Sequence, residues 1–165
     1  MITIISGTNR DNNTKKVAFE YQRLLKEKGK ESLLLALDEH DVFRRDEGFI
    51  QMENKFLIPA EKIIIVMPEY NGSYPGILKL MIDNTDIRKA WWHKKVLLTG
   101  VSTGRAGNLR GMDHLTGSLL YLKMIVHPNR LPISVIDRLM DGNNHFSDAG
   151  TLKAIDVQLE EFLKF

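Results

Sequence analysis

Five short apolar runs, almost unbroken by polar residues, set the terms on which this chain can fold. They are Ile2 to Ile5, Leu33 to Leu37, Ile63 to Met67, Val96 to Leu98 and Met124 to Val126. A strand with one wet face alternates apolar and polar residues, whereas a continuous run suits a strand covered on both faces. The intervals carry helical spacing instead. Val17, Ala18, Tyr21, Leu24 and Leu25 recur on one face, with Asn13 or Thr14 as a cap and Gly29 as the stop. Ile77, Leu78, Leu80, Met81 and Ile82 follow Pro75, which is pre-organised for a helix start. Leu109, Met112, Leu115, Leu119 and Leu120 follow Gly107, and Leu152, Ile155, Leu159, Phe162 and Leu163 close the chain. Right-handed crossovers then put helices on both faces of the sheet. The pattern predicts an α/β fold, a doubly wound five-stranded parallel sheet, as one domain over residues 1–165.

In such sheets ligands bind beyond the carboxyl ends of the strands, which directs attention to three loops. The first, Ser6-Gly7-Thr8-Asn9-Arg10-Asp11-Asn12-Asn13-Thr14, offers a helix N-terminus, the hydroxyls of Thr8 and Thr14, the amide of Asn13 and the cation of Arg10. Fixed donors with a positive charge suit a phosphate. Neither Gly-x-x-x-x-Gly-Lys nor Gly-x-Gly-x-x-Gly is present, so a mononucleotide fits better than ATP or a dinucleotide. The same residues would also serve as a plain polar turn and cap. The second loop is Pro68-Glu69-Tyr70-Asn71-Gly72-Ser73-Tyr74-Pro75-Gly76. Asn71 and the backbone at Gly72 suit the polar edge of a planar heterocycle, with Tyr70 or Tyr74 over its face; a bare turn with Tyr74 stapling the helix is the alternative. The third, Gly100 to Gly107, supplies the hydroxyls of Ser102 and Thr103, close backbone approach at Gly104 and Gly107, and the cation of Arg105.

Composition removes several classes of chemistry. The chain has no cysteine, so thiol nucleophiles, disulfides, cysteine-held zinc and iron–sulfur clusters are excluded, and any redox chemistry needs a bound cofactor. Lys plus Arg number 23 against 21 for Asp plus Glu, a formal charge of +2 with the signs mixed, which speaks against a nucleic-acid partner. No apolar run approaches the ~20 residues of a membrane span, and Met1 leads directly into a strand pattern. A cytoplasmic protein with no membrane partner is expected. His40, His93, His114, His127 and His145 show no metal-ligand spacing, so no metal site is expected. Trp91-Trp92 reads as packing or a subunit interface, and Arg44-Arg45 before Asp46-Glu47 as a solvated loop.

The motifs also carry a family resemblance. Gly7-Thr8-Asn9-Arg10 through Asn13, the Pro68 to Gly76 segment with Leu78-Lys79 and Ile82-Asp83, and Ser102-Thr103-Gly104-Arg105-Ala106-Gly107, in that order, resemble the NADPH-dependent FMN reductase family of flavodoxin-like proteins. The likeness runs from Met1 to about Pro132. It implies a flavodoxin-like fold, FMN as cofactor, NADPH or NADH as co-substrate, and a homodimer or homotetramer. It also implies that Thr8, Arg10, Asn13 and Thr14 hold the FMN phosphate, that Pro68, Glu69, Tyr70, Asn71 and Gly72 flank the isoalloxazine, and that Ser102, Thr103 and Gly104 meet its pyrimidine end. Asn13 stands where the family commonly has Ser, Asn84-Thr85 where Trp often follows the Asp, and the stretch before the third run is short and charged.

The expected activity is hydride transfer from NAD(P)H onto FMN, then reduction of a small acceptor such as a quinone, flavin or azo compound. The flavin carries that chemistry, so no catalytic side chain is required of the protein. A one-electron carrier and a non-enzymatic FMN-binding module are the alternatives on the same fold. Near-neutral charge with Arg10 in the phosphate loop argues against the carrier. Leu115, Leu119, Leu120 and Leu122 spread around more than one face of their helix, which predicts self-association.

Overall fold

A computed structural model describes residues 1–10 and 13–165; Asp11 and Asn12 of the first loop lie outside the described residues. The apolar runs become parallel strands: β1 (Ile2–Ser6), β2 (Ser32–Ala36), β3 (Lys62–Pro68), β4 (Lys95–Val101) and β5 (Ile125–Val126). Their order is β2-β1-β3-β4-β5, and every pairing is parallel. The continuous runs have the predicted cause. Ile63 to Met67 in β3 and Val96 to Leu98 in β4 have no solvent exposure at all.

One strand was not foreseen. β6 (Leu131–Ile133) pairs with the carboxyl half of β4, while β5 pairs with its amino half, so the fifth position in the sheet is a split strand. His127-Pro128-Asn129-Arg130 interrupts it. Three residues with Pro132 at their centre carry almost no strand signal, and Pro is tolerated here because this position is the sheet edge.

Helices α1 (Asn13–Glu27), α3 (Gly76–Asn84), α5 (Leu109–Tyr121) and α6 (Ala149–Lys164) fall where the spacing placed them. Asn13 and Thr14 lie inside α1 rather than ahead of it, so neither is its cap. The charged stretch before β3 holds a missed helix, α2 (Glu47–Met52), continued by a wide turn over Glu53–Leu57. Its signal is Asp46, whose carboxylate accepts from the Phe49 N–H at 2.9 Å, followed by Phe49, Met52 and Phe56 at helical spacing. Arg45 is an exposed loop residue, as expected, but it has specific partners. It donates to the buried Glu53 carboxylate at 2.6 Å and to the Asn84 carbonyl at 2.7 Å. A short helix, α4 (Ile87–Ala90), leads to β4.

Two apolar layers cover the sheet. Leu78, Met81 and Ile82 of α3 pack with Met112, Leu115 and Leu119 of α5 on one face. Val17, Tyr21 and Leu25 of α1 pack with Ile155, Leu159 and Phe162 of α6 on the other. Trp91 is fully buried, and its indole N–H donates to Thr85 at 2.7 Å, which settles it as packing. Asn84 donates to the Val42 carbonyl at 2.8 Å and ties the end of α3 to the segment before α2. Asn84 and Thr85, which stand where Trp often follows the Asp, thus have structural work of their own. Among the described residues, no helix is long and apolar enough to cross a membrane.

Candidate functional site

The loops after β1, β3 and β4 meet at the carboxyl edge of the sheet around a cleft of about 610 Å³, a size usual for small-ligand sites. Eleven of the twelve residues singled out from the sequence line it: Arg10, Asn13, Thr14, Pro68, Glu69, Tyr70, Asn71, Gly72, Ser102, Thr103 and Gly104. Thr8 stands behind them. Fully buried, its hydroxyl shares a 2.7 Å hydrogen bond with the Tyr70 hydroxyl and accepts from the Arg10 N–H at 3.2 Å. Val101, Arg105, Ala106 and Ile136 complete the lining.

The first loop gathers positive charge at the start of α1. The Arg10 guanidinium lies over the Tyr70 ring, 4.8 Å from its centroid, so the cation is held at the cleft while exposed to solvent. Lys15, in the first turn of α1, is spent elsewhere: hydrogen bonds to Asp38 and Glu39, at 2.8 and 2.6 Å, hold its ammonium well above its ordinary pKa. Asn13 donates its amide to the Asp137 carboxylate at 2.6 Å, which pins the turn over Ile136–Arg138 against α1. Further along α1, burial pushes the Glu20 carboxyl up, but Arg23 and His145 outweigh it and hold the group below its ordinary pKa. The 2.5 Å contact from His145 to Glu20 anchors the segment that precedes α6.

The second loop turns tightly. Tyr70 and Ser73 exchange backbone hydrogen bonds of 2.9 and 3.1 Å, and Asn71 and Gly72 both have positive φ, 52° and 76°. That is the two-residue turn for which Asn-Gly is the preferred pair. The turn carries the Tyr70 ring to Thr8 and Arg10 on one side and leaves Gly72 facing α5 on the other.

The third loop is locked from within. The Ser102 hydroxyl donates to the Gly104 carbonyl and accepts from the Gly107 N–H, both at 2.9 Å, while Val135 and Ile136 donate backbone N–H groups to Gly104 and Ser102. Those bonds bring Ile136 into the cleft, a placement no sequence spacing announced. Gly107, at φ 55°, passes so close to β6 that an added side chain would meet Pro132 at 2.6 Å.

Asn108, which no sequence motif singled out, braces the cleft from behind. It is fully buried, sits in the left-handed region at φ 60°, and precedes α5. Its amide donates to the carbonyls of Pro68 at 2.8 Å and Met67 at 3.3 Å. One side chain therefore bolts the third loop to the end of β3, and the two walls of the cleft to each other. The legible signal was an Asn directly after Gly107, since Asn tolerates the left-handed region better than other non-glycine residues.

A parallel sheet in the order 2-1-3-4-5, with a phosphate-suited helix start and two aromatic- and hydroxyl-bearing loops at one edge, defines a flavodoxin-like mononucleotide-binding protein. The sequence profile of the NADPH-dependent FMN reductases matches residues 1–136, and the chain belongs to that family. It is an oxidoreductase that works with FMN and takes its electrons from NAD(P)H. Similar curated proteins include a 2-hydroxy-1,4-benzoquinone reductase from a Burkholderia species, 26% identical over 124 residues that span 71% of this chain and 68% of the relative. A quinone reductase of Escherichia coli K12 is 31% identical over 129 residues, 74% of this chain and 69% of the relative. Among solved structures, a flavoenzyme NAD(P)H:(acceptor) oxidoreductase from Paracoccus denitrificans superposes with a TM-score of 0.80 at 19% identity, covering 99% of this chain and 94% of the other. An archaeal flavodoxin reaches 0.64 at 14% identity, covering 99% and 98%. Both of these share the fold.

Proposed function

We propose that the cleft is the FMN site and that this chain reduces small quinone-like acceptors there. The donor set fits the cofactor. Arg10, Thr8, Asn13, Thr14 and the first N–H groups of α1 form the phosphate end, where a helix N-terminus and a guanidinium favour an anion. Asn13 contributes by fixing the Asp137 turn beside that end. Pro68, Glu69, Tyr70, Asn71 and Gly72 form one wall for the ring, and Ser102, Thr103 and Gly104 the other. FMN, when bound, supplies the chemistry of accepting a hydride and passing electrons on. The chain's own task is to orient: Asn108 and the Ser102 bonds hold the two walls at fixed spacing, so no reorganisation is needed at the reacting face.

The observation that carries this reading is the convergence of eleven chosen residues on one cleft. The quinone reductase relatives support a quinone as acceptor, and dependence on NAD(P)H supports a cytoplasmic setting. The test is steady-state consumption of NADPH by the FMN-loaded protein with and without 1,4-benzoquinone. Acceptor-dependent turnover is expected. Turnover with no quinone dependence, at a rate set by dissolved oxygen alone, would overturn the acceptor assignment.

The same reading includes a homo-oligomer in which residues 1–165 act as one domain. Leu115 and Leu119 are buried in the core, so the large apolar side chains left exposed on α5 are Leu109 at its start, 51% exposed, and Leu120 and Tyr121 at its end, 58% and 85% exposed. A groove between α3 and α5, lined by Ile82, Ile87, Gly117 and Tyr121 with Lys79, Asp83 and His114 at its rim, lies beside the end of α5. Small residues flanked by exposed aromatic and aliphatic side chains suit a subunit contact. Sedimentation at micromolar concentration should give a dimer or larger, and Tyr121→Glu should shift it toward monomer. A wild-type monomer would end this claim.

A further inference from the structure

The phosphate end of the cleft carries a carboxylate of the chain's own. Asp137 accepts the Asn13 amide at 2.6 Å, and Asn13 both lines the cleft and opens α1. The carboxylate therefore lies within one side-chain length of the helix start, whose free N–H groups favour an anion. Its partner is a neutral amide, and among the described residues it forms no ion pair, so its charge stands uncancelled.

The turn over Ile136–Arg138 is fixed in this position. The Val135 N–H donates to the Gly104 carbonyl at 3.0 Å and the Ile136 N–H to the Ser102 carbonyl at 3.1 Å, while the Ile136 side chain is buried in the layer that holds Val17 of α1 and Ile155 of α6. Val135 lies in the left-handed region at φ 48°, which a β-branched residue adopts only where its surroundings impose it. Backbone bonds and core packing thus deliver the Asp137 charge to the start of α1, although its side chain is exposed to solvent.

A carboxylate at a helix N-terminus stabilises the empty protein, and the same electrostatics draw a phosphate to that place. We infer that Asp137 is a built-in competitor of the flavin phosphate: it occupies the Asn13 donor and sets a like charge beside the phosphate, and so limits how firmly the chain retains FMN. This inference rests on the function proposed above and adds to it a residue that weakens cofactor binding. The repulsion between like charges at an exposed site is modest and screened by salt.

The test titrates the apoprotein with FMN and with riboflavin, which lacks the phosphate, and follows flavin fluorescence. Asp137→Asn keeps the shape and removes the charge, and Asp137→Ala removes the partner of Asn13 as well. Both should raise the affinity for FMN about tenfold, the effect of removing one like charge from a partly screened site, and leave that for riboflavin unchanged. The gain should shrink as salt is raised. Melting of the apoprotein should move the other way, to lower temperature, because α1 loses the anion at its N-terminus. A purely structural Asp137 would instead lose stability and FMN affinity together. An unchanged or lowered ratio of FMN to riboflavin affinity would overturn the inference, and so would an equal gain for both flavins, since the effect would then lie at the ring. A wild-type protein that binds neither flavin would remove the proposed function itself, a failure visible before any variant is compared.

Discussion

Arg10→Glu should abolish FMN retention, with affinity falling by about 100-fold or more, while the apoprotein keeps its fold. The variant removes a charge-assisted contact of about 1.5–3 kcal/mol and sets a carboxylate beside a phosphate that carries nearly two negative charges. Nothing in the core depends on Arg10, which is exposed and touches the Tyr70 ring, so the apoprotein's melting temperature should hold nearly constant. Lys15 cannot take over, because Asp38 and Glu39 already hold its ammonium. Equilibrium dialysis with FMN reads the effect directly. Unchanged affinity would place the phosphate elsewhere in the cleft.

Asn108→Gly should produce the second large effect, on stability and on FMN together. Glycine keeps the backbone at φ 60° without strain, so the change isolates the side-chain bonds. It leaves the carbonyls of Pro68 and Met67 without their Asn108 donor in a buried site, at about 1–3 kcal/mol for each unsatisfied group. A loss of about 2–4 kcal/mol should lower the melting temperature by roughly 5–15 °C in a chain of this size. Because the same bonds space the cleft walls, FMN affinity should also fall about tenfold. Melting curves with and without FMN separate the two effects. Loss of stability with unaltered FMN affinity would make Asn108 a packing residue only.

The sheet was legible because burial on both faces writes a continuous apolar run, and β1, β3 and β4 have that burial in full. The elements that escaped notice are those whose structure depends on distant partners. α2 is six residues long and draws its stability from Asp46, from Arg45 bonded to Glu53, and from the Thr3 hydroxyl, which donates to the Phe56 carbonyl at 2.6 Å across the fold. β6 exists because the far end of β4 offers it an edge. The same division runs through the site. Residues in contiguous motifs, such as Pro68 to Gly72, were readable because their chemistry and spacing sit in one stretch of chain. Ile136 and Asn108 were not, since one arrives through backbone bonds from Ser102 and the other works on carbonyls 40 and 41 positions earlier. Arg45 shows the same limit: it is exposed in a loop, as its charged neighbours suggest, but its partners Glu53 and Asn84 lie well apart from it in sequence.

The absence of cysteine makes one experiment decisive for the whole account, because no thiol or iron–sulfur chemistry can imitate a flavin in this chain. The purified protein, loaded with FMN and kept free of oxygen, is mixed with one equivalent of NADPH, and the flavin absorbance is followed without any partner protein. The bound flavin should bleach to the fully reduced form and regain its colour when a quinone is added. A protein that binds no FMN, or one whose bound FMN stays yellow in the presence of excess NADPH and NADH, would contradict it.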